Sequence, residues 1–196
     1  MNTPNKLTTA RLCLVPVFIF VYLYPFSSIC NIPEFTILGA NLTLIDLILA
    51  FIFIIASITD YFDGKIARRD NLITTFGKFV DPIADKLLVN SALLLLAYSG
   101  KIHILIVIIM ISRDTIVDAI RLLASNHNQV LAASIYGKAK TMTQMIAIVL
   151  LLLNNMIFAL VDFPMASLLI TVAAVISVLS GVDYFVKNKD YILESM

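Results

Sequence analysis

The stretch Asp60 to Asp85, "DYFDGKIARRDNLITTFGKFVDPIAD", decides how the chain is read. It separates two strongly apolar runs, "LIDLILAFIFIIAS" before it and "LLVNSALLLLAYSG" after it. Asp60 and Asp63 are three apart, so they share a helix face. Asp81 and Asp85 are four apart and share a face as well. A short polar loop, about residues 70–76, joins the two helices and turns the chain back, so the helices run antiparallel and both acid pairs lie near one end.

The surroundings of this stretch are hydrocarbon-like. Of 196 residues, 60% are hydrophobic and 14% charged, and the mean hydropathy is +0.97. A soluble domain carries roughly 45–50% apolar and about 25% charged residues, so lipid is the expected solvent. The net charge of +1 gives no electrostatic reason to expect nucleic acid. Cys13 and Cys30 have no metal-ligand spacing and suggest no disulfide framework. The apolar run near the N-terminus, which no A-x-A cleavage pattern follows, is read as a retained helix.

Six apolar segments can be marked: 8–25, 43–68, 83–99, 102–124, 139–157 and 165–187. Each approaches the roughly 20 residues that a helix needs to cross the hydrocarbon. The expected fold is all-α, a single domain over 1–196 with six transmembrane helices. Basic residues set the orientation. With the N-terminus in the cytoplasm, the lysines and arginines gather at the inner face and only Lys101 falls in an outer loop. Both termini are then cytoplasmic, in a multi-pass protein of the cytoplasmic membrane. From Asn41 to Arg68 the second segment is roughly 28 residues, ~42 Å of helix, against a hydrocarbon core of ~30 Å. Its surplus end carries Asp60 and Asp63, which places the acids at the inner interface.

Four carboxylates this close repel and raise one another's pKa. Divalent cations remove that conflict, and hard carboxylate oxygens suit Mg²⁺ or Mn²⁺. Asp60, Asp63, Asp81 and Asp85 are therefore the candidate metal ligands. Gly64 and Gly77 sit one turn from Asp60 and Asp81. A helix-interior glycine costs about 1 kcal/mol against alanine, which suggests a steric need beside the acids. The bland alternative is that the aspartates cap helices, with Pro82 marking a first turn.

A second constellation is basic. Arg113 and Arg121 are eight apart, on one face of the fourth segment, flanked by Asp114 and Asp118. Lys138 and Lys140 begin the fifth. Together they can form an anion pocket for a phosphorylated acceptor. Pairing of the arginines with Asp114 and Asp118, and the positive-inside rule for the lysines, would explain the same residues without a ligand. Asn5, Thr8 and Arg11 can reach the same interface from the first helix, while Thr8 is equally suited to cap it.

The motif D60-x2-D63-G64-x2-A67-R68-x8-G77-x3-D81-x3-D85 resembles the signature of the CDP-alcohol phosphatidyltransferases at all eight positions. The resemblance implies six membrane helices, a two-metal site of Mg²⁺ or Mn²⁺ on the four aspartates, and Asp85 as base. It implies that Gly64, Ala67 and Arg68 line the cytidine-diphosphate site of the CDP-linked lipid and that Gly77 allows close packing there. Asn5 and Thr8, from their place on the first helix, are further candidates to bind that lipid. "PNKLTTAR", "AASIYGKAKTMTQM" and "SGVDYF" are similar to the branch of that family whose substrates are CDP-diacylglycerol and sn-glycerol 3-phosphate. Inositol phosphate, phosphatidylglycerol or serine as acceptor is the alternative within the family, and a cation transporter is the rival from another class. Gly181 suggests helix packing, in a possible homodimer.

Overall fold

Helix-forming apolar runs, each closed by a turn signal, dictate the architecture. The computed structural model describes residues 2–69, 74–126 and 134–189, with the backbone alone at 3–4, 61–68, 75–76, 78–79 and 126. Six α-helices lie among the described residues: α1 Thr3–Leu23, α2 Leu44–Arg69, α3 Thr75–Tyr98, α4 Ile104–Asn126, α5 Ile135–Leu152 and α6 Met165–Lys187. Three of them, α1 from Asn5, α5 and α6, are long and apolar enough to cross a membrane. The other three carry more charge, and that charge is what builds the site described below.

Side-chain caps set several helix starts. Thr74 accepts from the Gly77 N–H at 3.0 Å and opens α3. Ser134 does the same for Gly137 and opens α5. At α2 the Thr43 hydroxyl and the Asp46 carboxylate satisfy each other's backbone N–H, at 3.2 and 2.9 Å. This reciprocal pattern removes two of the orphan donors of a helix N-terminus.

One apolar cluster draws on all six helices, with Phe18, Phe53, Leu93, Leu96, Met110, Ile148 and Ile170 at its centre. The main interfaces are α5 with α6, α1 with α2 and α3, and α4 with α6. Large apolar side chains also cover the outside: Phe51, Leu122, Leu179 and Val182 are each more than half exposed. Exposed apolar surface on this scale fits a chain whose outer solvent is hydrocarbon.

Two departures from the sequence reading are visible. The all-helical expectation missed a short antiparallel ribbon, β1 Glu34–Ile37 paired with β2 Ala40–Thr43. Leu38 and Gly39 both have positive φ, 50° and 80°, which suits the twist of a two-residue hairpin. Also, α3 begins at Thr75, eight residues before the expected segment, so Pro82 stands inside the helix and marks no helix start.

At the end of the bundle away from the aspartates, Lys101 ties the connections together. Its Nζ donates to Asn154 Oδ1 at 2.7 Å and to the Leu151 carbonyl at 3.2 Å, with Asp46 at 3.8 Å. Burial pushes this ammonium below the usual lysine range, against the opposing pull of Asp46.

Candidate active site

One face of α1 organises the acids. Asn5, Thr8 and Arg11 are spaced three apart and are 9%, 1% and 1% exposed. Further along the same face come the buried apolar residues Val15 and Phe18. The helix thus turns a polar stripe towards α2 and α3 at one end and an apolar stripe at the other. Thr8 Oγ1 donates to Asp81 Oδ1 at 2.6 Å. Arg11 Nη1 donates to Asp60 Oδ1 at 2.7 Å. Asn5 Oδ1 accepts from Thr74 Oγ1 at 2.9 Å. Because Thr8 and Arg11 are adjacent turns of one helix, Asp60 and Asp81 are held close to each other, and Asp85 follows Asp81 by one turn of α3.

Gly77 fits the steric need read from the sequence. A Cβ there would stand 3.3 Å from Asn5 Oδ1, 3.3 Å from Thr74 Oγ1 and 3.5 Å from Asp81 Oδ2. A side chain would press on the hydrogen bonds that fix α1 against α3. Thr8 is inside α1 rather than capping it, since Asn2 is the cap position. The side chains of Asp63, Gly64, Ala67 and Arg68 lie outside the described residues.

Asp60, Asp81 and Asp85 offer only hard oxygen donors, which is the chemistry that Mg²⁺ and Mn²⁺ take. The two hydrogen bonds from α1 engage Oδ1 of Asp60 and of Asp81, leaving Oδ2 of each without a hydrogen bond among the described residues. Asp85 makes no hydrogen bond or ion pair among them. Among the described residues no three acids close around a single ion; Asp63, the fourth of the set, falls outside them. By donor chemistry these carboxylates would suit a divalent cation, with Asp63 outside the described residues.

The basic residues and the acids meet in one cavity of about 540 Å³, within the range of small-molecule sites. Asp85 lines it from α3, Arg113 and Arg121 from α4, and Lys138 and Lys140 from α5. All four sequence-predicted cations are thus brought together in one cavity with Asp85. Lys86, Asp114 and Asp118 also line it, giving five cations and three carboxylates among the described residues. The excess is two positive charges.

Ion pairs account for part of that lining. Asp114 is bracketed by Arg113 Nη1 at 3.0 Å and Lys140 Nζ at 2.6 Å. Asp118 pairs with Lys86 of α3, not with Arg121 as its spacing suggested. Arg121 instead donates to the Tyr184 hydroxyl at 3.2 Å and lies over that ring, 5.4 Å from its centroid. Arg121 and Lys138 have no carboxylate partner among the described residues. These two cations are the ones open to an anionic ligand.

α6 holds the arginines in place. Ser180 accepts from Arg113 Nη2 at 2.5 Å and lies 3.3 Å from Ser134. A Cβ on Gly181 would come within 3.0 Å of Arg113 Cγ. Gly181 therefore makes room for an arginine of its own chain, so the glycine serves helix packing between α6 and α4. Thr74 and Lys86 are given no site role by the sequence, and Ser180 and Tyr184 enter there only within the stretch "SGVDYF". The signal was present for α6, where Ser177, Ser180, Gly181 and Tyr184 recur at helical spacing in an otherwise apolar run.

Known proteins resemble this chain over nearly its whole length. The family model described as CDP-alcohol phosphatidyltransferase matches residues 1–180. A Bacillus subtilis protein named CDP-diacylglycerol–glycerol-3-phosphate 3-phosphatidyltransferase is 44% identical over 95% of this chain and 95% of its own length. A Rickettsia bellii protein of the same name is 33% identical over 97% of both chains. One from Wigglesworthia glossinidia brevipalpis is 35% identical over 94% of this chain and 93% of its own. With an acid-bearing helix pair, a facing basic wall and a match over nearly its whole length, the chain belongs to the CDP-alcohol phosphatidyltransferase family.

Proposed function

We propose that the protein transfers the phosphatidyl group of CDP-diacylglycerol to sn-glycerol 3-phosphate, giving phosphatidylglycerophosphate and CMP. The single observation that carries this reading is the shared cavity. Asp85 opens onto the same space as Arg113, Arg121, Lys138 and Lys140, and its described lining carries an excess of two positive charges. A phosphomonoester dianion matches that excess, whereas serine and phosphatidylglycerol do not. The names of the curated relatives point to the same acceptor.

Each step falls to a residue of this chain. Arg121 and Lys138 take the acceptor phosphate, with Arg113 and Lys140 beside it, which leaves the primary hydroxyl turned towards Asp85. Asp85 accepts the proton of that hydroxyl. The oxygen then bonds to the phosphatidyl phosphorus, the bond from that phosphorus to CMP breaks, and CMP leaves with the electron pair. Gly64, Ala67, Arg68 and Gly77 border the CDP group of the donor lipid, with Asn5 and Thr8 behind them holding α3. Mg²⁺ or Mn²⁺ on Asp60, Asp63, Asp81 and Asp85 would neutralise the pyrophosphate oxygens and the leaving CMP.

The membrane arrangement belongs to the same proposal: six spans, both termini in the cytoplasm, and the site at the cytoplasmic face, where a lipid and a water-soluble acceptor can meet. An assay in detergent with CDP-diacylglycerol and labelled sn-glycerol 3-phosphate, with and without Mg²⁺, tests the reaction. Metal-dependent transfer of label to a lipid product is expected. Transfer to inositol phosphate, serine or phosphatidylglycerol in its place would refute the choice of acceptor.

A further inference from the structure

Gln144 is a polar side chain without a protein partner at the inner end of this cavity. It is 2% exposed, its Nε2 is buried without a hydrogen bond, and neither amide atom is hydrogen-bonded among the described residues. It lines the cavity one helical turn beyond Lys140, where the remaining contacts of α5 become apolar. Met145, Val89 and Val117 line the cavity too and offer no hydrogen bond. Of its other neutral polar side chains, Thr141 donates to the Gly137 carbonyl and Asn90 lies on α3, but neither is as deeply buried as Gln144. A buried amide left unpaired costs about 1–3 kcal/mol. The neighbouring cations Arg113 and Lys140 are occupied by Asp114, so the amide does not compete for the phosphate charge. What it lacks is a hydrogen-bond partner, which a neutral hydroxyl of a ligand would supply.

We propose that Gln144 is a specificity-determining residue that hydrogen-bonds the acceptor's non-reacting hydroxyl, the one between the phosphate-bearing carbon and the attacking one. This inference rests on the acceptor reading above and assigns the one part of that acceptor which the cations and Asp85 leave unrecognised. A site built to bond a hydroxyl discriminates against the analogue that lacks it, because the buried polar group then stays unpaired. A cavity with cations and a base alone would take any short phosphorylated alcohol.

The test compares sn-glycerol 3-phosphate with 3-hydroxypropyl phosphate, which has the same phosphate and primary hydroxyl but no middle hydroxyl. CMP release is followed for the wild type and for Gln144→Met, which keeps the volume and removes the amide. The wild type should prefer glycerol phosphate in kcat/KM, and Gln144→Met should lose about tenfold or more of that preference, nearly all of it on glycerol phosphate. Thermal unfolding of the variant without substrate should be no lower than that of the wild type, since the substitution removes an unpaired buried amide. Gln144→Asn keeps the amide but shortens its reach, and should show the same selective loss should Gln144→Met not fold. Equal loss on both acceptors, or unchanged preference, overturns the role of Gln144 while the acceptor assignment stands. Failure of the wild type to use either acceptor overturns the acceptor assignment, and this inference with it.

Discussion

Thr8 and Asp81 are 73 residues apart in sequence and 2.6 Å apart in space. Thr8 is 1% exposed, so its hydroxyl has no water to turn to. Replacing it by valine preserves the shape of the side chain and removes the only donor that holds Asp81 Oδ1 among the described residues. Thr8→Val should cost about 1–3 kcal/mol of stability, and it should lower kcat more than the affinity for either substrate, because the carboxylate loses its orientation. Unfolding in detergent and steady-state kinetics measure the two separately. An unchanged kcat would mean that the hydrogen bond only joins helices.

Gly181 and Arg113 supply a second case. A methyl group on Gly181 would meet Arg113 Cγ at 3.0 Å, in the middle of the side chain, where it cannot swing aside as a tip can. Gly181→Ala should displace the guanidinium from Ser180 and from the cavity wall. A shift of this kind in a substrate-positioning group costs roughly tenfold or more, and it should appear in KM for glycerol phosphate rather than for the CDP-lipid. Equal changes in both values would place the effect in general helix packing.

Arg121 and Lys138 are the two cavity cations with no carboxylate partner among the described residues. Their removal should weaken acceptor binding without stranding a buried acid. Lys138→Ala and Arg121→Gln are therefore expected to raise KM for glycerol phosphate by about tenfold each, the scale of one charge-assisted hydrogen bond. Little change in melting temperature is expected for Lys138→Ala and a small fall for Arg121→Gln, which gives up its contact with Tyr184. Lys140→Ala should behave differently: Lys140 is 3% exposed and bonds Asp114, so its loss should lower stability as well as activity. A melting temperature that falls equally for all three would contradict the distinction between paired and unpaired cations.

How much of this was legible beforehand follows from which physics each part obeys. Helix positions and the convergence of Asp60, Asp81 and Asp85 follow from local spacing and an antiparallel turn, and both can be read along the chain. The meeting of Arg113, Arg121, Lys138 and Lys140 was inferred from charge placed at one interface, which restricts where such groups can go. The partners were not legible. Nothing local tells that Asp118 pairs with Lys86 of another helix rather than with Arg121 three residues on. The hairpin at 34–43 was missed because four-residue strands leave too little periodicity to detect. The onset of α3 was placed late because Pro82 resembles a start signal, whereas the Thr74 cap that actually opens the helix lies in a polar loop.

Arg11 and the proposed divalent ions act on the same charges, which leads to a test of where the metal goes. Arg11 Nη1 bonds Asp60 at 2.7 Å, and the arginine is 1% exposed. It offsets part of the repulsion among the aspartates without any metal. Arg11→Met keeps the apolar stem and removes the charge. Asp60 is 36% exposed, so the loss should be roughly 1–3 kcal/mol, below that for a fully buried pair. Mg²⁺ bound at the acids would take over part of the missing compensation. Any ligand that binds only the folded state stabilises it in proportion to the logarithm of its saturation. The variant should therefore melt well below the wild type in EDTA and recover more of its melting temperature than the wild type does when Mg²⁺ is added. Asp81→Asn, which weakens the metal site, should reduce the Mg²⁺ gain in either background. Identical Mg²⁺ gains in wild type, Arg11→Met and Asp81→Asn would place the ion elsewhere and remove the electrostatic reason for gathering four aspartates at this end of the bundle.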